Sequence, residues 1–71
     1  MARTLTEEQN EELVLLLIEM SVPKEACLTI LSAIETPEEL LLFLNKLSER
    51  NYEMTPQEVY QAALETVIET T

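Results

Sequence analysis

Six consecutive apolar residues, Leu13 to Ile18, interrupt a segment that is otherwise patterned as an amphipathic helix. A helix that faces one core needs an apolar stripe only about 100° wide, whereas six consecutive apolar residues surround the helix. A second apolar run occupies positions 40–44. Because a domain of this size buries only about 60% of the surface of its unfolded chain, we expect part of each run to stay exposed. These parts would contact another protein or a second copy of the chain.

The size of the chain limits how it can be stabilised. With 71 residues it can form one small domain, and such domains often need disulfides, a metal or self-association. Cys27 is the only cysteine, and the chain has no histidine and no aspartate. The sequence therefore offers neither an internal disulfide nor a set of zinc ligands. We predict that Cys27 is a buried apolar residue, and we expect no metal site and no cofactor.

The charge of the chain limits the classes of partner that it can bind. It has 14 acidic and 4 basic residues, which gives a formal net charge of −10. Nucleic acid and anionic membranes repel such a chain, so we expect neither as a direct partner. All the acidic residues are glutamates, which favour helix surfaces over the aspartate-rich loops that bind calcium. The unpaired cysteine, the lack of a signal pattern and the shortness of the apolar runs predict a cytoplasmic protein.

The sequence predicts an all-α fold, because it has no glycine and its three prolines lie near plausible helix starts. Four helices fit this pattern. The first follows Thr6, the second begins near Pro23, and Thr-Pro-x-Glu segments at 36–39 and 55–58 begin the third and fourth. The second and third helices are joined so tightly that they must turn sharply against each other. This favours a compact orthogonal bundle of four short helices over a long up-and-down bundle.

Helical spacing assigns the residues that face the core. They are Ala26, Cys27, Ile30, Leu31 and Ile34 in the second helix, Leu40, Phe43, Leu44 and Leu47 in the third, and Val59, Tyr60, Ala63, Leu64 and Val67 in the fourth. Both ends of the chain, to about residue 5 and from residue 68, are expected to fray. Some apolar residues are left over, and either they form a contact surface or the fourth helix covers them. They are Val14, Leu15, Ile18, Leu41 and Leu42.

Residues 20–31, Met-Ser-Val-Pro-Lys-Glu-Ala-Cys-Leu-Thr-Ile-Leu, resemble the first loop and second helix of ubiquitin-associated (UBA-like) domains. In that family a Met-Gly-Phe loop precedes a helix that ends in an Ala-Leu pair. The positions that fall where the family places the apolar side of its third helix are Leu40, Leu41, Phe43 and Leu44. The resemblance covers about residues 8–47 and implies a UBA-like three-helix core with an added C-terminal helix. Because serine and valine replace the glycine and the aromatic residue of the loop, it implies docking more than ubiquitin binding. The implied contact positions are the outer side of the third helix and Met20, Ser21 and Val22.

The sequence contains no arrangement of residues that carries a specific catalytic chemistry. Adjacent glutamates such as Glu7/Glu8 and Glu38/Glu39 could in principle act as acid and base. They point about 100° apart on a helix, however, and they lie in first turns, where they stabilise the helix dipole. Without histidine, a glycine-rich loop or a basic phosphate site, we expect neither an enzyme nor a small-molecule substrate.

Two functional hypotheses follow. The first is a small acidic interaction module that binds a partner protein or itself through Leu15, Ile18, Leu41 and Leu42. The alternative is an acidic decoy of the phage or mobile-element type, whose carboxylates imitate nucleic-acid phosphates and occupy a basic groove on a host protein. Salt would weaken the decoy's interface steeply, which distinguishes the two hypotheses. The densest negative face would be formed by Glu7, Glu8, Glu11, Glu12 and Glu19.

Overall fold

A computed structural model describes residues 4–70, which form four α-helices and no strand. The helices are α1 (Glu7–Glu19), α2 (Lys24–Ala33), α3 (Pro37–Glu49) and α4 (Pro56–Thr70). α1 packs on α2, and α4 packs on both α2 and α3. The bundle measures 30 × 22 × 18 Å along its principal axes. The predicted all-α bundle of four short helices is confirmed.

Three helices begin with a capping box. In α1 the Gln9 amide donates a hydrogen bond to the Thr6 hydroxyl at 3.1 Å, and the Thr6 amide donates to the Gln9 side chain at 3.0 Å. The segments at 36–39 and 55–58 form the same pair of bonds at the starts of α3 and α4. Each box satisfies amides that have no partner within the first helical turn. The predicted starts of these helices are confirmed.

α1 ends in a Schellman motif that contains no glycine. The Ser21 amide donates to the Ile18 carbonyl at 2.9 Å, and the Val22 amide donates to the Leu17 carbonyl at 3.0 Å. Ser21 has a φ of 61°, in the left-handed region that costs least for glycine. The motif turns the chain back over the helix, and both Val22 and Leu17 are buried.

α3 ends in the same motif, with a more strained backbone. The Asn51 amide donates to the Ser48 carbonyl and the Tyr52 amide to the Leu47 carbonyl, both at 2.9 Å. Asn51 and Tyr52 both lie in the left-handed region, with φ values of 55° and 60°. Asparagine tolerates this conformation, whereas an aromatic residue adopts it at a cost. The connection between α3 and α4 is therefore the most strained turn in the described part of the chain.

The core draws residues from every helix and from the loop after α1. Phe43 is its largest fully buried side chain. Cys27 is buried and its thiol donates to the Val22 carbonyl at 3.4 Å, which confirms the prediction that it is a core residue. The core consists of Leu13, Leu17, Val22, Cys27, Ile30, Ile34, Leu40, Phe43, Leu47, Val59, Ala62 and Ala63.

The inner face of α4 differs from the predicted one. Spacing assigns Leu64 to the core, but it is 36% exposed, so that prediction is wrong. Ala62 and Thr66 are buried instead. Burial of the Thr66 hydroxyl is tolerated because it donates to the Ala62 carbonyl at 2.8 Å. Together with Ala63, these small side chains allow α4 to approach α2 and α3 closely.

The described ends of the chain are held in place. The Thr4 amide donates to the Glu35 carbonyl at 3.0 Å, which ties the segment before α1 to the α2–α3 connection. The hydroxyl of Thr70 donates to the Glu39 carboxylate at 3.1 Å, which ties the end of α4 to the start of α3. Two positions at which fraying is expected therefore form hydrogen bonds to other parts of the fold, whereas residues 1–3 and 71 lie outside the described part.

Candidate interaction surface

The outer side of α1 carries an apolar patch, which we call the α1 patch and define as Val14, Leu15 and Ile18. Leu15 and Ile18 are each 60% exposed. They are three residues apart and therefore adjacent on the helix surface. Val14 is half-buried, and with Leu15 and Glu11 it lines a shallow hollow of about 220 Å³. The sequence leaves open whether the fourth helix covers these residues. For Leu15 and Ile18 it does not, because α4 leaves both side chains exposed.

Negative charge surrounds the α1 patch. Glu11 lies one turn before Leu15, and Glu19 lies one turn after it. α1 contains no basic residue, and the ion pairs found among residues 4–70 lie between α4 and the end of α3. A partner group on the patch would therefore lie within reach of several carboxylates. The exposed glutamates of α1 are Glu7, Glu8, Glu11, Glu12 and Glu19.

Leu41 and Leu42 are exposed on different sides of α3. Their exposed fractions are 62% and 38%. Adjacent helix residues point about 100° apart, so Leu41 shares its side with Asn45, whereas Leu42 shares its side with Glu38. The sequence groups these two leucines as one contact surface, but the helix geometry separates them. Leu41 is the stronger candidate because more of it is exposed.

The loop after α1 offers less surface than the resemblance implies. Ser21 is exposed, and Met20 is half-buried against the core. Val22 is only 6% exposed and belongs to the core, so we remove it from the candidate surface. The physical reason is the Schellman motif, which directs the residue after Ser21 back towards α1.

Some exposed apolar residues are not indicated by the sequence pattern as contact positions. Leu64 and Ile68, which we call the α4 stripe, lie one turn apart, and Ile68 is 73% exposed. Gln61 lies on their side of α4, and Glu65 lies at the edge. The α4 stripe is thus bordered by fewer carboxylates than the α1 patch. The other such residue is Leu28, which is 56% exposed.

Charged groups between α3 and α4 form what we call the α3–α4 seam. The Lys46 ammonium lies 2.8 Å from the Glu69 carboxylate, and the Arg50 guanidinium lies 2.7 Å from that of Glu58. The hydrogen bond to Glu69 raises the pKa of Lys46. The Thr55 amide and then Arg50 lower the pKa of Glu58. Both basic groups lie along a groove of about 510 Å³, where they pair with carboxylates of the same chain and join the helices.

The described residues offer neither a metal site nor a membrane span. Among residues 4–70, no group of three or more cysteine and glutamate side chains lies close enough to hold a metal ion. None of the four helices is long and apolar enough to cross a membrane. No protein-family model, characterised protein or solved structure matches the chain. Any function of the candidate surface therefore has to follow from the residues that form it.

Proposed function

We propose that the protein is a small, non-enzymatic module that binds another protein through exposed apolar helix surfaces. The exposure of Leu15, Ile18 and Leu41, at 60%, 60% and 62%, carries this proposal. Burial of one large aliphatic side chain is worth about 1.5–3 kcal/mol. Single exposed apolar residues are common on proteins, but Leu15 and Ile18 are neighbours. A partner that covers both would gain the burial energy of the pair.

The rigidity of α1 supports this role. A capping box holds its start, and a Schellman motif holds its end. Leu13 and Leu17 anchor its inner face in the core. A surface on such a helix needs little ordering when a partner binds, so less of the contact energy is lost to entropy.

Two sequence observations support a docking role in the cytoplasm. The UBA-like resemblance implies a docking unit, and its loop keeps the exposed Ser21 and the half-buried Met20 at the surface. Cys27 is a lone thiol, which suits a reducing compartment. We therefore propose cytoplasmic docking on a protein.

The acidic decoy is the second candidate, and the exposed glutamates of α1 favour it. No glutamate of α1 forms an ion pair among residues 4–70. A decoy would bind a basic groove mainly by Coulombic attraction, which salt screens over about 10 Å at 0.1 M. Salt dependence and dependence on Leu15 therefore separate this candidate from the docking module.

Capture of partners from a lysate of the source organism on immobilised protein tests the proposal. The wild type is compared with L15Q/I18Q and with Leu41→Gln, and Ile68→Gln serves as a control because it removes an apolar residue that is even more exposed, at 73%. We expect a partner that the wild type and Ile68→Gln retain and that L15Q/I18Q or Leu41→Gln loses. Far-UV circular dichroism and urea unfolding verify that each variant is folded.

Other outcomes contradict the proposal. A partner that all the folded variants retain, and that moderate salt releases, would favour the decoy. A partner lost only with Ile68→Gln would move the contact to the α4 stripe and overturn the assignment to α1 and α3.

A further inference from the structure

We infer that the α1 patch binds a basic amphipathic helix of a partner protein, and not a second copy of this chain. This inference rests on the proposed function and specifies the chemistry of the partner at one of its surfaces. Two observations carry it: the small size of the patch and the charge around it.

The patch has the dimensions of one helical contact. Val14 to Ile18 spans about one turn, or roughly 6 Å along the helix axis. The patch lies on the outer side of α1, where Leu15 and Ile18 are each 60% exposed beside the shallow hollow at Val14. The side of another helix fits such a surface, because apolar residues three and four positions apart can lie over Leu15 and Ile18 together.

The charge around the patch selects a basic partner. All five glutamates of α1 are exposed, and the helix carries no basic residue of its own. Glu8, Glu12 and Glu19 follow one flank of the patch by helical spacing. Lysines or arginines that border the apolar side of a partner helix would face this flank, and their aliphatic stems would cover its edge.

The same charge disfavours a second copy. A two-fold pair through the α1 patch would bring the glutamates of both copies around one small apolar contact. Lys46 and Arg50 form ion pairs within the α3–α4 seam, so among residues 4–70 only Lys24 is left to compensate the five glutamates of α1 in each copy. Like charges placed opposite each other across an interface suppress that pairing.

Three synthetic helical peptides of about 18 residues, long enough to be marginally helical alone, test the inference. The first has a leucine face bordered by lysines. The second keeps the leucine face but has glutamates, and the third keeps the lysines but replaces leucine with glutamine. Each peptide is titrated into the full chain and followed by calorimetry. Sedimentation of the protein alone measures self-association.

We expect the Leu/Lys peptide to bind, the Leu/Glu peptide not to bind, and the Lys/Gln peptide to bind roughly tenfold more weakly or worse. L15Q/I18Q should weaken binding of the Leu/Lys peptide by roughly tenfold or more, whereas the matched Ile68→Gln should not. Glu8→Gln combined with Glu12→Gln should weaken it less, and should reduce its salt dependence.

Each contrary result has a distinct meaning. Self-association that L15Q/I18Q abolishes would overturn the choice of partner but leave apolar docking intact. The Lys/Gln peptide could instead bind as tightly as the Leu/Lys peptide, with no change in L15Q/I18Q. That result would mean attraction by charge alone and would contradict the proposed function at this surface as well. If no peptide binds, the inference is wrong, and lysate capture with the Leu41→Gln and L15Q/I18Q variants still decides the proposed function.

Discussion

Glutamates and apolar residues occur together both around the α1 patch and at the α3–α4 seam, but the fold uses them differently in the two regions. In the seam, Lys46 and Arg50 pair with glutamates of α4, and the apolar residues beneath, such as Phe43, are fully buried. On the outer side of α1, the apolar residues are exposed and the glutamates have no basic residue on their helix. The difference follows from where the few basic residues lie. The charged groups of the seam pair with each other, whereas the exposed apolar side chains of the α1 patch have no partner surface within the described part of the fold.

The strongest way to break this comparison is to truncate one side chain from each region. Phe43→Ala should lower the free energy of unfolding by about 3–5 kcal/mol, because it leaves a cavity in the core. That is most of the stability expected of a chain this short, about 5 kcal/mol. Leu15→Ala should change it by less than about 0.5 kcal/mol, because Leu15 is exposed. Urea unfolding followed by circular dichroism measures both changes.

A loss of several kcal/mol in Leu15→Ala would place Leu15 in the core and remove the basis of the α1 patch. Leu17→Ala on the same helix is the matched control. It is fully buried and should cost about 2–5 kcal/mol.

Helix starts were predictable from the sequence because capping is a local interaction. The Thr-x-x-Glu or Thr-x-x-Gln spacing at Thr6, Thr36 and Thr55 brings both partners of each box within one turn. The inner face of α4 was not predictable in the same way. Leu64 is more apolar than Thr66, but the close approach of α4 to two helices favours the smaller side chain there.

The candidate surface was predictable only in part for the same reason. Two apolar runs indicate a surplus of apolar residues, but spacing on one helix does not reveal which residues another helix covers. The exposure of Leu15 and Ile18 depends on α4 packing on α2 and α3. The burial of Val22 depends on a turn conformation that Ser21 adopts without glycine.

The second prediction is a substitution that stabilises the fold by relieving strain in the turn between α3 and α4. Tyr52 has a φ of 60° and is 46% exposed, so its side chain returns little burial energy for the strained backbone. Tyr52→Gly should raise the free energy of unfolding by about 1 kcal/mol, the left-handed cost less the added entropy of the unfolded chain. Tyr52→Ala is the control, because alanine keeps the strain and loses the ring. If both variants are destabilised in urea, the ring packs against the seam and the turn is not a site of net strain.

The salt dependence of the free energy of unfolding should show whether repulsion among the glutamates or attraction in the seam is stronger. Of the 14 glutamates, two form ion pairs among residues 4–70, so repulsion among the rest should outweigh the attraction in the seam. Raising sodium chloride from about 0.02 M to about 0.5 M should increase the free energy of unfolding, by up to about 1 kcal/mol. Glu8→Gln combined with Glu12→Gln should reduce this increase. A decrease in stability with salt would mean that the ion pairs of the seam dominate the electrostatics of the fold.

The smallest effect concerns the titration of Glu58 in the seam. The Thr55 amide and then Arg50 lower the pKa of Glu58 in the folded protein, so the ionised carboxylate favours folding. This contribution is complete above the unfolded pKa of about 4.3, and it is lost as pH falls through the lower folded pKa. Glu58→Gln keeps a side chain that can form the capping box with Thr55, so its comparison with the wild type isolates the charge.

The urea midpoint of the wild type should therefore exceed that of Glu58→Gln at pH 7, and the two should converge under acidic conditions. Lys46 should show the opposite pH dependence. Its pKa is raised by Glu69, so its contribution is complete below the unfolded pKa of about 10.4 and is lost as pH rises through the folded pKa. If the difference in urea midpoint between the wild type and Glu58→Gln persisted unchanged under acidic conditions, the charge of Glu58 would not be its cause.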